Sequence, residues 1–205
     1  MVFIDDLAFS LFTLSFAGLL LFYTIASLYF VYKKQHSEFK EYLGSSDAPL
    51  MVVGLLMVVS GLWGQFTWPL PGSYNILFYD PYLAFGILLV AFALSVREGV
   101  RLEYSGFLGL MVGAMTIVYG VVGYNAGLTQ EPVALLLMYL FYGLAGIFAY
   151  PVSLIADRLP GLMRRNLWPG WNICLVAFGV FLVIASLLAA FVGVAALPVH
   201  LATPP

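Results

Sequence analysis

Long apolar runs separated by short polar stretches dominate the chain. Cutting it wherever charges, Gly/Pro clusters or polar runs interrupt leaves six segments: Leu7–Tyr32, Ala48–Phe66, Pro81–Val96, Tyr104–Tyr124, Pro132–Ala156 and Asn172–Leu197. Hydrocarbon about 30 Å thick takes roughly 20 apolar residues as a helix. A transmembrane barrel would alternate apolar and polar residues in segments of about ten, whereas these runs are continuous. The pattern predicts an all-α integral membrane bundle of six transmembrane helices, a single domain over residues 1–205, with no charge inside any segment.

Composition agrees: 63% of residues are hydrophobic and 9% charged, against about 45–50% and about 25% in ordinary soluble domains. A net charge of −2 and the absence of a basic patch argue against a nucleic-acid partner. Lys33, Lys34, Lys40, Arg97, Arg101, Arg158, Arg164 and Arg165 all fall on one side of the predicted segments. Asp5, Asp6, Asp80 and Glu131 fall on the other. The positive-inside rule then places the protein in the cell membrane as a multi-pass chain with both termini outside. No Lys or Arg precedes Lys33, so the first segment is read as a retained span rather than a cleaved signal. Trp63 and Trp68 lie near the outer boundary and Trp168 and Trp171 near the inner one, as aromatic rings at headgroup level do.

At 100° per residue, Gly106, Gly109, Gly113, Thr116, Gly120 and Gly123 share one face of the fourth segment. Tyr139, Tyr142, Gly143, Gly146, Tyr150, Ser153 and Asp157 share one face of the fifth. Small residues let helices approach closely in lipid, so these faces are expected to pack together; the alternative is a cavity lined by the tyrosines. GLLMVVSGLWG in segment two and GAMTIVYGVVG in segment four carry glycines at the same spacing. Asp80-Pro81 and Glu131-Pro132 then open segments three and five, an acid at the N-cap and proline at the first helical position. Segments two–three and four–five are thus read as a weak parallel repeat, and helices one and six as peripheral.

The stretch GQFTWPLPGSYNILFYDPY joins segments two and three. Segment three, at about 16 residues and about 24 Å, is short of the hydrocarbon thickness, so this loop is expected to fill the missing depth. Polar groups gather at its level: Gln65, Thr67, Trp68, Tyr74, Asn75 and Asp80, with Tyr124, Asn125, Thr129, Gln130 and Glu131 from the corresponding loop. Together with Tyr139 and Tyr142 below them, Gln65, Trp68, Asn75, Asp80, Tyr124, Asn125 and Glu131 make a candidate outward-facing pocket. The alternative is a polar network that locks the loop to the helix ends. On the inner side Arg158, Arg164 and Arg165 read as contacts to anionic lipid headgroups, or as orientation signals alone.

Much familiar chemistry is missing. Histidine occurs at His36 and His200, both outside the segments, and Cys174 is the one cysteine, which leaves no ligand set for haem, zinc or copper. No P-loop, HExxH or Rossmann glycine pattern occurs. We therefore expect no cofactor, no metal and no enzymatic activity. The first functional expectation is a non-catalytic subunit or scaffold in a larger membrane complex, in contact with lipid and with other subunits or copies of itself. The alternative is a small-solute transporter or channel with its pocket under the 67–80 loop. An acid–base enzyme using Asp80 and Glu131 is the remaining possibility.

The strings GQFTWPLPGSYNILFYDPYLAFG and GYNAGLTQEPVALLLMYLFYGLAGIFAYP, within Ala48 to Pro151, resemble an uncharacterised prokaryotic, largely archaeal, membrane-protein family, a domain of unknown function. WPLPGSYN is the most specific part. The resemblance implies a polytopic helical bundle and supplies no ligand or activity.

Overall fold

Continuous apolar sequence can satisfy its own backbone in lipid only by closing hydrogen bonds within each segment, and helices result. The computed structural model describes residues 5–33, 43–129, 131–162 and 169–202. Among them lie α1 (Asp6–Lys33), α2 (Asp47–Thr67), α3 (Ser73–Glu98), α4 (Glu103–Asn125), α5 (Pro132–Leu162) and α6 (Pro169–Ala202), and no strand. Each holds a stretch long and apolar enough to cross a membrane, so the fold is an all-α membrane bundle of six helices. Lys34, Lys40, Gln130, Arg164, Arg165 and Trp168 lie outside the described residues.

Five helices begin within three residues of their predicted starts; α3 begins eight residues early and corrects the reading of the loop. The connection between α2 and α3 shrinks to residues 68–72, and the Pro81 expected at the helix start lies inside α3. With 26 residues, α3 is about 39 Å long and needs no loop to complete its depth. Asp80 is accordingly not an N-cap, and it is a charge inside a helix; the residue at that cap is Gly72. Glu131-Pro132 behaves as expected, with Pro132 opening α5. The two acid–proline pairs therefore do different work.

Each helix packs against the next in sequence, and α6 returns to α1, so the contacts run in a closed ring. Glycine sets the two tightest seams. Along α2, Gly54 meets Leu89 and Val90, Gly61 meets Leu83, and Gly64 receives the Tyr79 ring. Along α4, Gly113 meets Gly143, Gly146 and Ile147, and Gly120 meets Tyr139. The buried residues of α4 are the predicted stripe with Ser105 added. Both halves of the suggested repeat thus use their glycines alike, to admit the following helix.

The peripheral placing of the first helix does not hold: 56% of its spanning stretch is buried, against 28% for α2, which is the least buried. At the other end of the bundle from the 68–72 turn, Asp157 of α5 caps α4, accepting from Leu102 N at 2.8 Å and Glu103 N at 2.9 Å. Arg97 pairs with Asp47 at 3.9 Å and Arg101 with Glu103 at 2.7 Å at that same end. Arg158 is exposed there.

Candidate functional site

Two prolines and a left-handed residue shape the outer turn. Trp68 adopts φ 51°, a conformation rare outside glycine, and its N–H donates to Gly64 O at 3.1 Å. Asn75 is fully buried one turn into α3. Its Oδ1 accepts from Leu70 N at 3.2 Å, and its Nδ2 donates to Gly64 O at 3.1 Å. Both ends of the amide are thus spent on holding the turn against α2. The turn drives Leu70 into the bundle, where it is 9% exposed.

Beside that lock, Gln65 Nε2 donates to Asp80 Oδ1, and Tyr119 OH donates to Asp80 Oδ2 at 2.5 Å. One carboxylate therefore ties α2, α3 and α4 together, and its two donors satisfy a charge that lipid would otherwise penalise. Sequence reading missed Tyr119. The signal was present in the glycine repeat, where Tyr119 occupies the place of Ser60, and each hydroxyl reaches α3: Tyr119 to Asp80, Ser60 to Tyr82 at 3.0 Å.

The remaining residues of the expected pocket separate. Trp68 and Tyr124 are 47% and 42% exposed at the outer rim. Asn125 and Glu131 are exposed at the facing ends of α4 and α5, where Glu131 N donates to Thr129 Oγ1 at 3.1 Å. Glu131 does not stand among the described partners of Asp80. Tyr139 and Tyr142 lie deeper, in the wall of a central chamber.

That chamber has a volume of about 70 Å³ and is walled by α1, α3, α4, α5 and α6, with Leu70 at its outer end. Four tyrosines line it: Tyr79, Tyr82, Tyr139 and Tyr142. Every phenol is turned to a protein partner. Tyr79 donates to Asp6 Oδ2 at 2.7 Å, Tyr82 shares a hydrogen bond with Ser60 at 3.0 Å, Tyr139 donates to Leu77 O at 2.6 Å, and Tyr142 donates to Leu14 O at 3.0 Å. Thr116 is likewise bound to its own helix, at Val112 O.

The Tyr139 bond has a local cause. Pro81 has no N–H, so the Leu77 carbonyl one turn earlier lacks its helical donor, and Tyr139 supplies one from α5. A proline that looks like a helix start is thus accommodated mid-helix by a side chain 58 positions further along.

The chamber surface is therefore almost wholly apolar, with Ser10 and Thr116 as its hydroxyl-bearing residues besides the tyrosines. A cavity lined in this way stays dry unless polar partners hold water in it. Among the described residues no group of three or more His, Cys, Asp or Glu is placed to hold a metal ion. No curated protein and no solved structure matches the chain. A family described as a protein of unknown function, DUF981, matches residues 1–203, well beyond the Ala48–Pro151 region that carries the resemblance, and the chain belongs to that family.

Proposed function

We propose that this protein binds a small lipid-soluble molecule in its central chamber and serves as a membrane carrier or receptor for it, without catalysing a reaction. The observation that carries the reading is an almost wholly apolar chamber walled by five helices, in which each tyrosine hydroxyl is hydrogen-bonded to protein. Of the roles open from sequence, this is nearest to the small-solute transporter, with the pocket moved from beneath the outer loop to the bundle axis. A packing subunit needs no internal space, and this bundle closes on itself. Lipid is its surrounding partner, both termini face outward, and Arg158, Arg164 and Arg165 meet headgroups on the inner side.

Filling the chamber tests this. Ala145 lines it and is 2% exposed. Protein purified alone into nanodiscs should carry or take up a nonpolar small molecule, detected by native mass spectrometry. Ala145→Phe should weaken that uptake by about tenfold or more, the equivalent of about 1.4 kcal/mol, with little change in melting temperature. Empty protein that becomes occupied or stable only with a second membrane protein would return the role to a subunit of a larger complex.

A further inference from the structure

Molecules can reach an interior chamber from water, through an end of the bundle, or from lipid, between two helices. The outer end is shut by Leu70 beneath the 68–72 turn, which Asn75 holds with two hydrogen bonds. The α2/α3 and α4/α5 seams bring glycine against backbone and cannot widen without unpacking. The α3/α4 seam is pinned near one end by Tyr119 on Asp80 and near the other by Ser95 on Ser105 at 2.8 Å. Helices α5 and α6, and α6 and α1, meet broadly, while α1 and α2 meet least of the neighbours.

Behind that weakest seam stand Tyr79 and Tyr82. No residue of α2 lines the chamber, so α2 packs on α1 and α3 from outside. The two phenol rings are packed edge to face, 6.4 Å apart, and are the wall at this point. They line the chamber while their hydroxyls reach Asp6 on α1 and Ser60 on α2. Gly64 gives the Tyr79 ring its room against α2. Both rings are buried and held by their hydroxyls, Tyr79 through Asp6 and Ser10, Tyr82 through Ser60, Thr13 and Ser10, and turning either ring aside would open the chamber toward the α1/α2 seam, the least extensive in the bundle.

We infer that the chamber opens sideways to the bilayer through a portal at the α1–α2–α3 junction, closed by Tyr79 and Tyr82, and that it admits uncharged, hydrocarbon-rich molecules while rejecting charged ones. This rests on the proposed binding role of the chamber. Selectivity follows from the wall, which is almost wholly apolar, so an ion arriving there would lose its hydration with little in return. Lipid is the phase from which such molecules come.

The test uses the full-length protein in phospholipid nanodiscs with 3-trifluoromethyl-3-phenyldiazirine, an uncharged photolabel, and its para-carboxylate counterpart, with labelled sites mapped by peptide mass spectrometry. The uncharged probe should label Leu14, Met138 and Phe178 in the chamber, and the carboxylate should not. Tyr79→Phe and Tyr82→Phe, which remove the hydroxyls and keep the rings, should each quicken chamber labelling at least about fivefold, the worth of a single hydrogen bond. Ser95→Ala, which loosens a different seam, should not. If Tyr79→Phe destabilises the fold, Tyr82→Phe alone carries the comparison. Equal chamber labelling rates in wild type and Tyr82→Phe would overturn the portal while leaving the binding role intact. Equal labelling by the carboxylate would overturn the selectivity. Labelling confined to lipid-facing residues such as Val52 and Phe191 would remove the binding role itself.

Discussion

At Pro81 a helix runs through a residue that cannot donate, and Tyr139 makes up the difference from α5 at 2.6 Å. Removing that hydroxyl leaves the Leu77 carbonyl unpaired in apolar surroundings, so Tyr139→Phe should cost about 1–3 kcal/mol in denaturant unfolding. Pro81→Ala restores an N–H one turn from the same carbonyl. In that background Tyr139→Phe should cost at least about 1 kcal/mol less, which a double-mutant cycle reads directly. Equal costs in both backgrounds would show that the proline and the tyrosine act independently. Asn75 poses a similar residue-scale question: its amide bonds both Leu70 N and Gly64 O, so Asn75→Ala should lower the melting temperature. Sequence placed Asn75, Asp80 and Gln65 at one level, and Gln65 and Asp80 do meet. Tyr119 and the Leu77 carbonyl stayed out of reach because their partners lie 39 and 62 positions away.

Among the elements, the α4/α5 hairpin depends on backbone contact. A Cβ on Gly113 would stand 2.5 Å from Gly143 O, and one on Gly146 would stand 2.7 Å from Gly109 O. Neither helix can retreat without opening the seam, so Gly113→Ala and Gly146→Ala should each destabilise by about 1–3 kcal/mol. Gly179→Ala is the useful contrast, because its nearest neighbour is the Phe22 ring at 3.2 Å, which can shift. Its cost in the same unfolding assay should fall well below the other two; equal costs would mean that glycine matters here for reasons other than space. The glycine stripes of α2 and α4 were legible because a helical period of 3.6 turns spacing into a face. The start of α3 was not: a proline after an acid is a good signal for a helix start, and here a donor from another helix meets the carbonyl that the proline leaves free mid-helix.

For the molecule as a whole, Arg97, Arg101 and Arg158 stand at one end of the bundle and the 68–72 turn at the other. The orientation proposed above predicts that cysteines at Lys40 and Arg164, introduced with Cys174→Ala, react with an impermeant maleimide only from the inner side of sealed vesicles. Reaction of the two from opposite faces would break the six-crossing arrangement. Reaction of both from outside would invert it and leave the chamber and its portal unchanged, since neither depends on which compartment faces which end.

Sequence by itself determined that the chain is helical, that it crosses a membrane, about where each crossing lies and which faces of α2 and α4 take a neighbour. These are properties of local composition and period, and lipid enforces them on each segment separately, because every segment must satisfy its own backbone. The tertiary structure alone decided that the contacts close into a ring, that α1 is buried and α2 lies outside the chamber, and that four tyrosines line that chamber with their hydroxyls bonded to protein. Those outcomes depend on which helix stands beside which, and apolar side chains that are equally content in lipid or against protein leave little mark of that choice in the residue pattern.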